Sequence, residues 1–144
     1  KQVPILKKEL LNIPFFGWTL RTISPIAIDR SNRAGTLVQI FKQGREKIAQ
    51  GFWILVFPEG TRAAPGHLLK YKTGAVKIAQ KLNLPIIPVT HNAGHCMPKN
   101  SFFVYPGKID VVVGKTIYLD PNQEPEVVTS ELENWTAQEI KALG

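Results

Sequence analysis

Residues 25–57 read PIAIDRSNRAGTLVQIFKQGREKIAQGFWILVF, and this stretch decides the class of fold. Short apolar runs at 25–29 and 52–57 are typical of buried strands, whereas apolar residues recur at helical spacing through 34–50. A strand, a helix and a second strand in this order form a crossover between parallel strands of one sheet. The stretch therefore predicts an α/β fold with a largely parallel sheet.

The same alternation continues toward the C-terminus. Residues 73–82 predict a second crossover helix, which Thr73 caps and Asn83 ends. Residues 126–143 predict a last helix that covers the sheet. Further strands are predicted at 85–90, 102–105 and 108–113. Ligands of parallel sheets collect in the loops beyond the carboxyl ends of the strands, so those loops are where we look for a site.

The length and composition describe one globular domain over residues 1–144, with 44% apolar residues. Cys96 is the single cysteine, so no internal disulfide forms and a reducing compartment fits best. No apolar run approaches the roughly 18 residues that cross a bilayer. The chain opens at Lys1 without a signal peptide, and we expect it to be part of something longer.

Positive charge is concentrated in one part of the chain. The 18 basic and 11 acidic residues give a net charge of +7. Residues 1–77 hold 13 basic and 4 acidic side chains, whereas the rest holds 5 and 7. Such a field attracts phosphate-bearing ligands, anionic lipids or nucleic acid, and charge alone does not choose among them. A solvated basic face that keeps the chain soluble is the simpler alternative.

The sequence FPEGTR at residues 57–62 follows the most apolar predicted strand. Arg62 can hold a phosphate through two hydrogen bonds, Gly60 allows backbone N–H groups to approach an anion, and Thr61 offers a hydroxyl. Glu59 can pair with Arg62 or accept a hydrogen bond from a ligand hydroxyl. The alternative is a surface turn bent at Gly60, in which the two charges form a weak ion pair.

Two basic segments precede this motif. Residues 7–18 read KKELLNIPFFGW, and residues 28–30 read IDR at the end of the first predicted strand. Both basic segments can face the same crevice as Arg62, although Asp and Arg at 29–30 also suit an ordinary surface pair. The aromatic residues of the first segment either touch lipid or pack beneath the sheet; they are Phe15, Phe16 and Trp18.

Five segments in order resemble a known family, the glycerolipid acyltransferases, and most closely the 1-acyl-glycerol-3-phosphate acyltransferases. They are the block at 7–18, IDR at 28–30, FPEGTR at 57–62, YKTGA at 71–75 and LPIIPV at 84–89. Their common order and spacing, rather than any single segment, carry the resemblance. It implies a glycerol-3-phosphate acyltransferase-like α/β fold.

The resemblance implies transfer of a fatty acyl group to the free hydroxyl of lysophosphatidic acid, giving phosphatidic acid in phospholipid biosynthesis. The acyl donor is acyl-CoA or acyl carrier protein, and no metal or redox cofactor is expected. Matched by motif, the residues that bind the acceptor's glycerol phosphate are Glu59, Gly60, Thr61 and Arg62, with Lys7, Arg30 and, more weakly, Lys72 adding positive charge.

The chain departs from the family at the catalytic motif. In the family a His-x-x-x-x-Asp motif supplies the general base: the histidine takes the proton from the acceptor hydroxyl and the aspartate orients the imidazole. Five positions after His67, His91 and His95 stand Lys72, Cys96 and Asn100. We therefore assign no catalytic residue here, expect the motif upstream of Lys1, and expect this chain alone to be inactive. His91 and His95 acting as a substitute base is the alternative.

Three functions remain open from the sequence. The first is an acyltransferase domain at the cytoplasmic face of a membrane, held peripherally or by the missing N-terminal part, with an anionic membrane surface as partner. The second is a catalytically silent module that binds anionic lipid on the same fold. The third, a nucleic-acid binder, ranks last and we expect no nucleic-acid partner, because the aromatic and basic residues are not interleaved as a stacking surface requires.

Overall fold

The computed structural model of the protein describes residues 1–29, 33–99 and 101–143. The chain forms two compact units, Lys1–Val56 and Phe57–Gly144. In the described part of the chain, no helix combines the length and the apolar composition needed to cross a bilayer.

The first unit is built on a parallel sheet of three strands, ordered β2-β1-β3. The strands are β1 (Gln2–Lys7), β2 (Ile26–Ile28) and β3 (Trp53–Leu55). Helix α2 (Arg33–Ala49) joins β2 to β3, and both strands run parallel to β1. The first predicted crossover and its parallel sheet are therefore confirmed.

The central strand β1 has no counterpart among the predicted strands. Pro4 lies inside it, opposite Leu55 of β3. A proline within an apolar run argues against a central strand because it donates no ladder hydrogen bond. Val3 beside it is fully buried, so packing outweighs this local signal.

The outer edge of β2 is covered by a side chain of α2. The Gln43 amide donates to the Ala27 carbonyl oxygen at 3.1 Å, and the Ala27 N–H donates to the Gln43 side-chain oxygen at 3.2 Å. Because β2 ends the strand order of the described residues, no strand there pairs with these two backbone groups, and Gln43 satisfies both.

A 3₁₀ turn (Lys8–Asn12) and helix α1 (Phe16–Thr22) connect β1 with β2. Gly17 is buried against the backbone of Leu11, and a Cβ atom at Gly17 would overlap the Leu11 carbonyl oxygen. The neighbouring aromatic side chains are exposed, so their predicted alternative of packing beneath the sheet is wrong; they are Phe15, Phe16 and Trp18.

The second unit contains an antiparallel strand pair and two helices. Strand β4 (Val89–His91) pairs with β5 (Val111–Val113), so the second predicted crossover leads to an antiparallel pair. Helices α3 (Gly74–Leu82) and α4 (Pro125–Leu143) form where helices were predicted. Their buried contacts with each other centre on Val76, Val128 and Leu132.

Only the C-terminal end of α3 forms as the sequence predicts. Asn83 ends the helix with a φ of +52°, a left-handed conformation that asparagine tolerates, and its N–H bonds back to Ala79 and Gln80. Thr73 precedes the helix but makes no capping hydrogen bond with its side chain. The predicted N-cap bond is therefore absent at Thr73.

The strand predicted at residues 102–105 does not form, and the prediction is wrong there. Residues 102–105 have no strand pairing, and Phe102 is fully exposed. The Phe103 N–H donates to the Ser101 hydroxyl at 3.0 Å, and that hydroxyl donates to the Phe103 carbonyl oxygen at 3.3 Å. A local side chain thus takes up backbone groups that a ladder would use, which outweighs the strand propensity of the aromatic run.

Candidate functional site

The motif at residues 57–62 forms a tight turn in the second unit. The Gly60 N–H donates to the Phe57 carbonyl oxygen at 3.1 Å, and the φ of Gly60 is +73°. That backbone conformation favours glycine, since any Cβ atom is sterically penalised there. Because the Gly60 N–H already donates within the turn, the backbone donors available to an anion are the N–H groups of the residues after Gly60.

The charges of the turn do not neutralise each other. Among the residues that the structure describes, the ion pairs join Lys77 to Glu126 and Lys108 to Asp110. Arg62 is exposed and, within the described ranges, neither its guanidinium nor its N–H donates a hydrogen bond. The ion-paired surface turn is therefore not the arrangement found, and the Arg62 donors are available to a ligand.

Lys72 lies directly beside the turn. Its N–H donates to the Pro58 carbonyl oxygen at 3.0 Å, which closes the loop of residues 58–72. A Cβ atom at Gly60 would lie only 3.0 Å from the Lys72 Nζ. A Cβ atom at residue 60 would therefore crowd the ammonium group, and Lys72 adds its charge to the turn that carries Arg62.

Helix α4 anchors the residue that precedes Lys72. The Tyr71 N–H donates to a Glu133 carboxylate oxygen at 3.0 Å, and its hydroxyl donates to the Thr136 hydroxyl at 2.9 Å. Thr136 is buried and donates in turn to the Leu132 carbonyl oxygen at 2.9 Å. Motif matching did not assign Tyr71 a role; its position in YKTGA, next to the basic residue, was the available signal.

Glu59 is the acidic group of the turn and is half-buried. Burial raises the pKa of its carboxyl above the ordinary value of 4.5, and the charge of His91 acts in the opposite direction. This interaction makes Glu59 an acidic neighbour of His91, the last residue of β4, which the sequence around His91 does not reveal. The same burial effect raises the pKa of the Tyr71 phenol above 10.0, and the charges of Glu59 and Glu133 add to it, while the Thr136 hydrogen bond opposes it.

The remaining predicted cations belong to the first unit. Lys7 is exposed at the carboxyl end of β1, opposite Ile28 at the end of β2. Asp29 follows, with its N–H donating to the Gln39 side-chain oxygen at 3.4 Å. Arg30 lies outside the described residues, so its role and the shared crevice with Arg62 stay predictions.

The second unit thus presents a cationic turn with hydroxyl and N–H donors and one half-buried carboxylate. Within the described residues, no three His, Cys, Asp or Glu side chains converge as a metal site would require. Guanidinium and ammonium donors around a glycine turn suit a phosphate group. The chain is therefore an α/β protein that carries a candidate phosphate-binding site in a loop.

The chain belongs to the Acyltransferase family, whose model matches residues 1–92. This match covers the turn and Lys72, and it confirms the resemblance drawn from the five segments. Helix α4, which anchors Tyr71, lies beyond the matched residues.

Named relatives agree with this assignment. The chain is 46% identical over 116 residues to a 1-acyl-sn-glycerol-3-phosphate acyltransferase of Pseudomonas aeruginosa, covering 81% of this chain and 45% of that protein. A protein of the same name from Cocos nucifera is 34% identical over 126 residues, covering 87% and 41%. The matched regions therefore span less than half the length of these relatives.

A solved structure has the same fold. The crystal structure of the 1-acyl-sn-glycerophosphate (LPA) acyltransferase PlsC from Thermotoga maritima matches with a TM-score of 0.78 at 26% identity. The match covers 99% of this chain and 56% of that one. The predicted α/β fold of the acyltransferase type is thereby confirmed.

Proposed function

We propose that this chain carries the acceptor site of a 1-acyl-glycerol-3-phosphate acyltransferase. The observation that carries the proposal is the turn at residues 57–62: the Lys72 ammonium lies beside Gly60, and Arg62 forms no ion pair with any other described residue. The acceptor's phosphate binds the Arg62 guanidinium and the Lys72 ammonium, with Thr61 as a hydroxyl donor. Glu59 accepts a hydrogen bond from the glycerol.

In the proposed reaction the free hydroxyl of lysophosphatidic acid attacks the thioester carbonyl of acyl-CoA or an acylated carrier protein. The new ester is phosphatidic acid, and the thiol of the donor leaves. A histidine oriented by an aspartate takes the hydroxyl proton, and both lie outside residues 1–144, since no His-x-x-x-x-Asp occurs within them. The reaction needs no metal or redox cofactor in this proposal.

The place of action follows from the acceptor. Lysophosphatidic acid is an anionic lipid, so the enzyme works at an anionic membrane surface, which we place on the cytoplasmic side. From the motif match alone, Lys7 and Arg30 are proposed as further cations for the acceptor. A catalytically silent lipid-binding module is the second candidate, because it needs the same turn and explains why residues 1–144 contain no motif for the base.

Binding of glycerol 3-phosphate by the 144-residue chain tests the acceptor site. Arg62→Ala should weaken that affinity about 10-fold to 150-fold, because a charge-assisted hydrogen bond contributes roughly 1.5–3 kcal/mol. Arg62→Lys should recover only part of the loss, since lysine lacks the planar fork. Arg45→Ala, at an exposed arginine of α2, is the control. Equal affinities of Arg62→Ala and Arg45→Ala would refute the assignment.

Catalysis is tested in the protein that includes the sequence upstream of Lys1 in the source DNA. If a His-x-x-x-x-Asp occurs there, we expect acylation of lysophosphatidic acid that Arg62→Ala impairs through the acceptor KM more than through the donor KM. If that protein binds lysophosphatidic acid but forms no phosphatidic acid with either donor, the silent module replaces the enzyme.

A further inference from the structure

A cluster of aromatic side chains in the first unit is exposed rather than packed. Phe15, Phe16 and Trp18, which we name the aromatic turn, are 75%, 52% and 62% exposed. The rings of Phe15 and Trp18 contact each other edge to face, with centroids 5.2 Å apart. Ile13 and Ile23 on either side are also exposed. The acceptor site proposed above uses none of these side chains.

The backbone holds the aromatic turn in a fixed conformation. Phe15 has a φ of +62°, and the Phe16 N–H donates to the Pro14 carbonyl oxygen at 2.7 Å. A bond between residues two apart with this φ makes a classic γ-turn, which is rare and strained for any residue but glycine. Strain of this kind concentrates at functional positions. Here it aims a large apolar ring into solvent.

Close packing keeps the helix behind the aromatic turn in place. Gly17 lets α1 lie directly on the backbone of Leu11, and the Gly17 N–H donates to the Ile13 carbonyl oxygen at 2.7 Å. The Arg21 guanidinium donates to the Leu11 carbonyl oxygen at 3.3 Å. The rings are therefore presented by a preorganised element.

The charges around the aromatic turn are mainly positive. Arg21 stands three residues after Trp18 on α1, so the two side chains are neighbours on the helix surface. Lys7 and Lys8 are exposed where β1 meets the 3₁₀ turn that packs on α1, and Glu9 is the one acidic residue between Lys1 and Thr22. Exposed tryptophan and phenylalanine rings beside lysine and arginine match the interface of an anionic bilayer.

We propose that the aromatic turn is a membrane-docking surface that inserts its rings among the headgroups of an anionic phospholipid bilayer. The proposal rests on the proposed function, because a lysophosphatidic acid acceptor resides in such a bilayer. It adds the surface that meets the lipid, which consists of other residues than the turn that binds the acceptor's phosphate. The element lies in the interface, since α1 has only seven residues.

Vesicle binding by the 144-residue chain tests this surface without any acyl transfer. We expect binding to vesicles of phosphatidylglycerol and phosphatidylcholine, weaker binding to phosphatidylcholine alone, and a decline with salt. Trp18→Ala should weaken binding about tenfold, the effect of withdrawing one large aromatic side chain from an apolar environment. Trp53→Ala is the matched control, because Trp53 is 60% exposed in the same unit, and it should bind like the unchanged chain.

Phe15→Gly separates docking from folding. Glycine relieves the positive φ, so this variant should be as stable as the original chain or more stable, yet bind vesicles about tenfold more weakly. Equal binding by the Trp18→Ala and Trp53→Ala variants would overturn the proposal. A dimer in solution that Trp18→Ala dissociates would overturn it in favour of a second copy as the occupant. Loss of glycerol 3-phosphate affinity in Arg62→Ala with vesicle binding retained would separate this surface from the acceptor site.

Discussion

The replacement Gly60→Ala perturbs the proposed acceptor site through its backbone. Gly60 has a φ of +73°, and its missing side chain leaves room for the Lys72 ammonium, which a Cβ atom would meet at 3.0 Å. Alanine thus has two effects: it strains the turn and it displaces Lys72. The two effects are separable, because one acts on stability and the other on the affinity for an anion.

The size of each effect follows from the geometry. A non-glycine residue in the left-handed region costs about 1–2 kcal/mol of stability. The clash itself adds little to that cost, since the Lys72 Nζ is the far end of a flexible side chain. A Cβ contact at 3.0 Å displaces the ammonium by only about 0.4 Å, and moving it that far from a phosphate roughly 4 Å away weakens their attraction by about 0.4 kcal/mol at an effective dielectric constant near 20. The affinity for glycerol 3-phosphate should therefore fall about twofold.

Gly66→Ala is the matched control for this experiment. Gly66 has a φ of +71° in the same loop, but nothing lies within 4 Å of an added Cβ atom. Both variants should lower the Tm in circular-dichroism melts by a similar amount, roughly 3–6 °C. Only Gly60→Ala should weaken glycerol 3-phosphate binding in a calorimetric titration. An equal loss of affinity in both variants, or none in Gly60→Ala, would refute the role of the Lys72 ammonium.

Three further replacements test other contacts within the second unit. Burial raises the pKa of Glu59, so ionisation of this carboxyl opposes folding. Glu59→Gln should therefore raise the Tm at about pH 7, and this gain should vanish when the pH falls below the ordinary carboxyl pKa of 4.5. A gain in Tm that does not depend on pH would contradict this prediction. Tyr71→Phe removes the hydrogen bond to Thr136 and should cost about 1 kcal/mol in denaturant unfolding; an unchanged midpoint would count against the anchor. Gly114→Ala places a Cβ atom 2.8 Å from the Trp135 ring and should cost about 1–3 kcal/mol and shift tryptophan fluorescence, and unaltered emission would contradict the close packing.

Parts of the fold could be predicted because their signals are local. The crossover formed by β2, α2 and β3 follows from two apolar runs and the helical spacing between them. Asn83 ends α3 for the equally local reason that asparagine adopts a positive φ. Strand β1 carries only a weak local signal because Pro4 interrupts it, and residues 102–105 form no strand because the Ser101 hydroxyl competes for their backbone groups.

The sequence also predicts only part of the candidate site. Motif spacing predicts that Gly60, Arg62 and Lys72 serve a phosphate, but it does not predict that the Lys72 ammonium lies against Gly60. The support of Tyr71 by residues 62 and 65 positions later depends on where α4 packs, and no local pattern encodes that contact. The aromatic turn shows the same limit, since a ring at Phe15 fits a core as well as a surface until its exposure is known.

By itself the sequence determined the Acyltransferase family, the α/β class and the residue types that suit a phosphate, because residue order and spacing carry these properties. Only the tertiary structure decided that Arg62 has no ion pair within the described part of the chain, that the Lys72 ammonium lies against Gly60, and that the aromatic turn faces solvent. Charge pairing and burial depend on which segments contact each other in space. Packing between elements distant in the chain sets these contacts, and local propensities do not predict them.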